Sequence, residues 1–319
     1  MIPRSLVVLL FSLFITCPVL AQIKERNIRA ELGFLASDAM QGRGSGTGYE
    51  RIAAEYIGSQ FRQFGLEPGG DADGAGNKTF VQRVPLQSGA TWNAIGVLRG
   101  ANPAGESIML SAHLDHLGVN EALPGDDKIF NGADDDASGC VAVLELARVF
   151  AAGKRPRRTV YFVCFGSEER GGFGSRYFIE HSPVPLPKIV ADLTFEMLGR
   201  PDAKVAAGTL WLTGFERSNL GPELARQGAS LVADPHPEQH FFQRSDNYPL
   251  ALRGVIAHTI SSFGLHTDYH RPSDEISKID FPFMSRSINS LVKPIRWLAN
   301  STFHPAWLPG QAPVPKSKE

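Results

Sequence analysis

The sequence has little net charge, few cysteines and no internal repeat. The net charge is −1 over 319 residues, which gives no support for a nucleic-acid partner or an anionic membrane surface. The three cysteines include no pair with metal-ligand spacing, so a metal site would depend on imidazole and carboxylate groups. With 43% hydrophobic residues, the chain is long enough to bury a large core in one domain or two.

Residues 1–21 are predicted to be a secretory signal peptide. Arg4 supplies the positive start, residues 6–15 the apolar region, and Val19-Leu20-Ala21 a small-residue cleavage site. The apolar region is too short to span a bilayer. The mature chain is therefore expected to begin at Gln22, to be secreted or periplasmic, and to have no membrane contact after cleavage.

Two nucleotide-binding motifs and the nucleophile elbow of serine hydrolases are missing from the mature sequence. The glycine-rich stretch 41–48 has neither dinucleotide nor P-loop spacing and follows no apolar strand, so it indicates a flexible or turn-forming loop. Ser167 and Ser175 lack the context of a nucleophile elbow, which argues against a serine hydrolase. Cys140 opens a predicted helix and Cys164 lies in an apolar run, so both are expected to be buried free thiols.

The order of apolar residues predicts strands that alternate with helices. Helices are predicted at 23–37, 49–64, 137–152, from about 174, and at 281–299; strands are predicted at 79–86, 92–98, 107–112, 159–165, 189–196, 210–213 and 255–261. Thr159–Phe165 is typical of a central strand covered on both faces. The alternation favours an α/β sheet with helices on both faces, in a single domain at 22–304. Residues 305–319 hold several prolines and a charged end, which predicts disorder.

The most informative stretch is 131–139, where three consecutive aspartates lie between glycines. They are not expected in the core, because isolated buried charges are too costly, and the triplet alone leaves a solvated turn and a cation site open. The spacing of Asp134, Asp136 and Glu145 also fits an EF-hand calcium loop. That fit fails because Pro124 and Gly125 break the helix that an EF-hand needs before its loop.

Further candidate ligands follow the predicted strands. His113 and Asp115 follow one strand, Glu168 and Glu169 follow a second, and Glu196 ends a third. Ligand sites in open α/β sheets lie beyond the carboxyl ends of the strands, so these side chains are expected to converge. Imidazole and carboxylate ligands suit zinc in a hydrolytic site. The sequence thus predicts a metal-dependent hydrolase.

These motifs resemble those of the family-28 metallopeptidases, dizinc exopeptidases that include secreted bacterial aminopeptidases. The resemblance covers nearly all of the mature chain, with five segments that match in order, from Gly33-Phe34-Leu35 and Gln41-Gly42-Arg43 to the segment 269–274. It implies a three-layer sandwich of zinc-exopeptidase type, with a twisted, mixed and mostly parallel sheet of about eight strands. It also implies two zinc ions and a peptide substrate with a free N-terminus.

The resemblance implies a ligand set for both ions. Asp135, the middle of the triplet, would bridge them. Glu169 and His113 would bind one ion, and Glu196 and His270 would bind the second ion. Position 196 is commonly aspartate in the family; the extra methylene of glutamate changes its reach and bears on how fully the second site is occupied.

Other site residues receive roles from the same resemblance. Glu168 would be the general base for a water shared by the two metals, and it would protonate the leaving amine. Asp115 would orient His113. Tyr269 would help to polarise the substrate carbonyl or would be an ordinary packed aromatic.

The resemblance also implies the shape of the acidic loop. A cis peptide bond is expected between Asp135 and Asp136, with Asp134 and Asp136 turned away from the ions. Gly132 and Gly139 would relieve crowding on either side. Three further histidines lie near the motifs and are candidates to contact the ligands: His116, His258 and His266.

An aminopeptidase that hydrolyses the N-terminal peptide bond is the preferred interpretation, and three alternatives stay open. A carboxypeptidase or a glutaminyl cyclase would share the fold, although the cyclases generally depart from the Asp-Asp-Ala-Ser-Gly sequence present here. A non-catalytic metal-binding protein is the third alternative. The presence of Glu168 counts against it, because this residue would not be a ligand.

Overall fold

Nine strands form one mixed sheet in the computed structural model, which describes residues 22–102 and 104–314. In chain order the strands are β1 Glu67–Pro68, β2 Val81–Pro85, β3 Ala90–Leu98, β4 Ser107–His113, β5 Gly118–Val119, β6 Ile129–Phe130, β7 Thr159–Phe165, β8 Ile189–Phe195, β9 Leu210–Leu212, β10 Leu231–Ala233 and β11 Ala257–Ser261. Strands β5 and β6 pair separately as a small ribbon. The helices are α1 Glu25–Leu35, α2 Gly48–Gln63, α3 Gly139–Ala151, α4 Phe173–Glu180, α5 Leu220–Arg226, α6 Asn247–Ala251 and α7 Phe281–Asn300.

The large sheet is parallel in its centre and antiparallel towards both sides. Its order is β1-β3-β7-β4-β8-β11-β9-β10, with β2 also paired to β3. Strand β4 is parallel to β7 and β8, and β11 is parallel to β8, whereas β3 and β9 run antiparallel to their inner neighbours. The predicted α/β sandwich is confirmed. Parallel pairing is limited to the centre and to the β9–β10 pair, so the sheet is evenly mixed rather than mostly parallel.

Strand β7 shows that both faces of the sheet are covered. All seven of its residues are buried. Val160, Phe162 and Cys164 belong to one apolar cluster, and the alternate residues Tyr161, Val163 and Phe165 belong to another. This division follows the two-residue period of a strand. The first cluster includes residues of α1, α2, α3 and α7, and the second includes residues of α4 and α6, so helices lie on both faces.

The strand register brings the carboxyl ends of three strands, β4, β7 and β8, to one edge of the sheet. His113, the last residue of β4, is level with Phe165 at the end of β7. Ser111 of β4 is level with Thr194 of β8, whose last residue is Phe195. The segments that follow β4, β7 and β8 therefore leave the sheet side by side, as expected for parallel strands.

The predicted disorder of residues 305–319 is wrong for the part that the structure describes. Trp307 forms a bridge with Ser218, and its ring centroid lies 5.2 Å from that of His258. The backbone nitrogen of Leu308 donates to the carbonyl of Arg217 at 2.8 Å. The contacts of Trp307 therefore fix this segment in place despite its prolines. Residues 315–319, like the predicted signal peptide at 1–21, lie outside the described residues.

The structure also describes both cysteines of the predicted mature chain and the character of its helices. Cys140 and Cys164 are both buried free thiols, as predicted. Among the described helices, none combines the length and apolar character that a membrane span requires.

Candidate metal centre

Asp135 lies at the centre of the residues that the sequence singled out. Its Oδ1 is 3.2 Å from Nε2 of His113, and its Oδ2 is 3.2 Å from Nε2 of His270. Nε2 of His270 is also 3.2 Å from Oε2 of Glu169. Glu169 therefore lies beside His270, whereas the resemblance implied that it would share an ion with His113. Each oxygen of Asp135 faces a different imidazole.

The geometry between Asp135 and His270 fits a metal ion better than a hydrogen bond. Oδ2 of Asp135 and Nε2 of His270 are buried and lie 3.2 Å apart, yet neither has a hydrogen-bond partner among the described residues. Ligand atoms of a tetrahedral zinc ion, at bond lengths of 2.0–2.1 Å, lie roughly 3.3 Å from one another. Carboxylate oxygens and imidazole nitrogens are also the donors that zinc accepts. The residues present thus fit the ion.

His116 contacts Glu169, although the sequence marked it only as a candidate to contact the ligands. Its Nδ1 lies 2.9 Å from Oε1 of Glu169, and its side chain is fully buried. Nε2 of His116 has no described partner, so a proton there would be an unsatisfied buried donor, and the hydrogen-bond network assigns the proton to Nδ1. His116 then donates to one oxygen of Glu169 and leaves Oε2 beside His270.

The outer aspartates of the triplet bind the backbone of other segments. Asp134 accepts hydrogen bonds from the nitrogen of Gly199 at 2.7 Å and from Nε2 of His266 at 3.0 Å. Asp136 accepts from the nitrogens of His113 and Met197 at 3.2 and 3.1 Å. The bond between Asp135 and Asp136 is cis, as the resemblance implied. The two outer carboxylates thus hold the loop in place and leave the middle one free for a ligand.

The turn after β7 is held by Asp115. Its carboxylate accepts from the backbone nitrogens of Glu168 at 2.9 Å and Glu169 at 3.3 Å, and from the hydroxyl of Ser45. Nδ1 of His113 is 3.2 Å from the backbone carbonyl of Asp115 and 3.7 Å from its carboxylate. Asp115 therefore contacts His113 mainly through its main chain, and its carboxylate fixes the position of Glu168.

Glu168 and Glu196 complete the site. Both line one cavity together with Asp135 and Glu169. The carboxylate of Glu168 makes no hydrogen bond or ion pair within the described part of the chain. Glu196 directly follows β8, and its backbone nitrogen donates to Ile260 of β11 at 3.1 Å. The convergence expected at the strand ends is therefore present.

Burial and neighbouring charges set the ionisation of these groups. Burial raises the pKa of Glu168 well above its usual value, and Asp246 and Glu196 add to this effect against the opposing charge of His113. Burial also raises the pKa of Glu196. Burial alone would lower the pKa of His270, but the carboxylates of Asp135 and Glu169 outweigh it and raise that pKa to about 10.

Comparison with known proteins identifies the family. The sequence model of peptidase family M28 matches residues 93–293, which is more than half of the chain. The chain belongs to peptidase family M28. It is 28% identical over 190 residues to leupeptin-inactivating enzyme 1 of Streptomyces exfoliatus, a match that covers 58% of this chain and 38% of that protein. The matched segment thus spans about two fifths of the length of this relative.

Solved structures show the same fold. The LapA aminopeptidase of Legionella pneumophila has a TM-score of 0.68 at 21% identity, over 88% of this chain and 73% of that one. BSAP, a zinc aminopeptidase from Bacillus subtilis, has a TM-score of 0.67 at 17% identity, over 88% of this chain and 96% of that one. At these identities the likeness concerns the fold alone.

Two residues of this M28 chain contribute to the site in ways that the sequence did not predict. Asp274, four residues after His270, accepts hydrogen bonds from the backbone nitrogens of Asp134 and Asp135 at 3.1 and 3.0 Å. The segment that carries His270 therefore also fixes the acidic loop. The other residue is Arg43, which belongs to the matched Gln-Gly-Arg motif but received no role.

Arg43 joins two of the loops that hold the site. Its guanidinium is buried and donates to four backbone carbonyls, those of Leu35, Leu114, Asn131 and Gly132, at 2.7–3.0 Å. Leu114 follows His113, and Gly132 precedes the acidic loop. A planar guanidinium can address several acceptors in fixed directions, whereas an ammonium group concentrates its donors at one point.

The variant Arg43→Lys should accordingly lose stability. At least two of the four carbonyls would be left buried without a donor, so the free energy of unfolding is expected to fall by about 2–4 kcal/mol. Urea denaturation measures this change. Arg51→Lys is the control, because Arg51 is exposed with a long contact to Glu55, and its effect should stay within about 0.5 kcal/mol. Equal stability of the two variants would contradict the role given to Arg43.

The cavity beside the carboxylates has an aromatic wall. Trp211, Phe241 and Phe263 line it with Met197, and the ring centroids of Trp211 and Phe241 are 5.4 Å apart in a stacked arrangement. Tyr269 lines the same cavity and stacks on His270 with a centroid distance of 3.9 Å. The cavity thus has one aromatic wall beside the cluster of carboxylates and imidazoles.

Proposed function

We propose that this chain is a zinc-dependent aminopeptidase that hydrolyses the N-terminal peptide bond of peptides. One observation carries the proposal. The oxygens of Asp135 face two different imidazoles, those of His113 and His270, while the carboxylate of Glu168 makes no described hydrogen bond and lines the same cavity. A bridging carboxylate beside a free carboxylate is the arrangement that a two-metal hydrolase needs.

The proposed ligand sets rest on the contacts of Asp135 and, for Glu196, on the cavity that it lines with Asp135. Asp135 Oδ2, Glu169 and His270 would hold one ion, with His116 orienting Glu169. Asp135 Oδ1, His113 and Glu196 would hold the other. Zinc at these positions would polarise the substrate carbonyl and lower the pKa of a bound water.

Glu168 would carry the proton through the reaction. Its carboxylate takes a proton from the attacking water as the water oxygen forms its bond to the carbonyl carbon. It then gives that proton to the leaving nitrogen when the carbon–nitrogen bond breaks. The hydrogen bonds from the backbone of Glu168 and Glu169 to Asp115 hold the carboxylate of Glu168 at the cavity. Tyr269, which stacks on His270, would place its hydroxyl near the substrate carbonyl.

The aromatic wall supports a preference for a large apolar N-terminal residue. A leucine or phenylalanine side chain would bury its surface against Trp211, Phe241 and Phe263. Residues 1–21, which lie outside the described residues, carry the predicted signal peptide, so the enzyme would act outside the cytoplasm on peptides that have a free N-terminus.

Paired substrates test the proposed activity. Leucine amide and phenylalanine amide should be hydrolysed, and their N-acetylated forms should react at least roughly 100-fold more slowly, because catalysis depends on the free α-amine being correctly placed. Release of C-terminal residues from N-acetylated peptides would indicate a carboxypeptidase instead. Ammonia and a cyclised product from an N-terminal glutaminyl peptide would indicate a cyclase. No turnover of any of these substrates would leave a metal-binding protein.

A further inference from the structure

The catalytic cavity continues into a second cavity, which we call the outer cleft. It is lined by Glu168, Glu169, Arg176, Arg244, Tyr248 and Tyr269. Glu168, Glu169, Arg244 and Tyr269 also line the catalytic cavity, so the two spaces meet at the general base. The aromatic wall lies in the catalytic cavity, so the outer cleft is the space left for the part of a peptide beyond the cleaved bond.

Two arginines in this cleft have no anionic partner among the described residues. Neither Arg176 nor Arg244 has a carboxylate within 4.0 Å in the part of the chain that the structure describes, and both side chains are exposed. The guanidinium carbon of Arg244 lies 4.9 Å from the ring centroid of Phe241. Stacking of this kind restrains a guanidinium and leaves its N–H groups free to donate.

The other charged groups of the outer cleft are acidic. Glu168, Glu169 and Asp246 line it, and Asp246 is 1% exposed and forms no ion pair with either arginine. Glu169 would be neutralised by the zinc ion that it is proposed to hold, which leaves Glu168 and Asp246 to repel an anionic substrate group unless a cation faces it. The two exposed guanidinium groups are therefore placed to attract an anion into an otherwise acidic region.

We propose that Arg176 and Arg244 bind the C-terminal carboxylate of a dipeptide or tripeptide. This inference rests on the proposed aminopeptidase function and names the substrate class. One residue of extended chain spans roughly 3.3–3.6 Å, so in these peptides the free carboxylate lies one or two residues beyond the cleaved bond, within reach of a cleft that begins at Glu168. Guanidinium groups bind carboxylates through paired, charge-assisted hydrogen bonds.

Matched peptides with and without the terminal charge test this inference. Leu-Leu and Leu-Leu-amide differ only at the C-terminus, and the free acid is expected to have a kcat/KM roughly tenfold or more above that of the amide, mainly through KM. The ratio should fall with rising salt, because screening weakens an exposed ion pair. In Arg244→Gln and Arg176→Gln the ratio should drop, and in the double variant it should approach one.

A control and a charge-free substrate separate this inference from the function on which it rests. Arg286→Gln removes an exposed arginine on α7 that lines neither cavity, and it should keep the full ratio. Leucine amide has no terminal carboxylate, so its hydrolysis should be nearly unchanged in Arg176→Gln, because Arg176 lines the outer cleft and not the catalytic cavity. Equal kcat/KM for Leu-Leu and Leu-Leu-amide in the unaltered enzyme would overturn the carboxylate site and leave the aminopeptidase intact. Absence of hydrolysis of all three substrates would instead refute the proposed function.

Discussion

The variant Glu168→Gln is expected to keep its zinc and to lose most of its turnover. Glutamine has nearly the same shape as glutamate, but its amide cannot take a proton from water and return it to the leaving amine. Removal of a general base lowers kcat by roughly 10²–10⁴-fold. The backbone nitrogen of residue 168 would still donate to Asp115, so the turn after β7 should stay in place. Steady-state kinetics on leucine amide, with elemental analysis of the same sample, measures both properties.

Glu169→Gln is the matched control for this prediction, because the same substitution is made one residue along the chain. Glu169 contacts His116 and His270, so its replacement should lower the zinc content as well as the activity. Both variants should then have low activity, but only Glu169→Gln should have lost zinc. Near-full turnover in Glu168→Gln would show that Glu168 is not the base, and loss of zinc from it would show that Glu168 is a ligand.

The parts of the site that the sequence predicted are those governed by strand order. Parallel strands end at a common edge, so a histidine at the end of one apolar run and a glutamate at the end of another were expected to meet. His113 and Glu196 do lie at the ends of β4 and β8. No tertiary information was needed beyond the assignment of those runs to one sheet.

Other parts depend on loop positions that local pattern does not encode. Arg43 lies 88 residues from Asn131, whose carbonyl accepts one of its hydrogen bonds, and a single buried arginine has no periodicity that marks it. The pairing of Glu169 with His270 depends on the path of the segment before α7. The position of Trp307 could not be predicted either. The prolines around it predict a disordered tail, but Trp307 contacts Ser218 and His258, which are distant in sequence.

Removal of metal is expected to abolish activity. Substitution of a metal ligand is expected to lower the zinc content according to the number of ions that the residue contacts. The unaltered protein should bind about two zinc ions per chain. His270→Ala removes a ligand from one ion only, and the content should fall to about one, because three protein ligands are typical of a catalytic zinc site. Asp135→Asn weakens both sites at once, and its content should fall below that of His270→Ala. Chelation should stop the hydrolysis of leucine amide, and added zinc should restore it.

Stability supplies an independent measure of the same occupancy. A ligand that binds only the folded state stabilises it, by about 2.7 kcal/mol at a free concentration one hundred times its dissociation constant. Zinc should therefore raise the melting temperature of the unaltered protein most, that of His270→Ala less, and that of Asp135→Asn least. His181→Ala, which alters an exposed histidine stacked on Tyr177, should respond like the unaltered protein. A full complement of zinc in Asp135→Asn would refute the bridge. Active protein free of any transition metal would refute the metal mechanism itself, because that mechanism requires a bound ion to lower the pKa of the water.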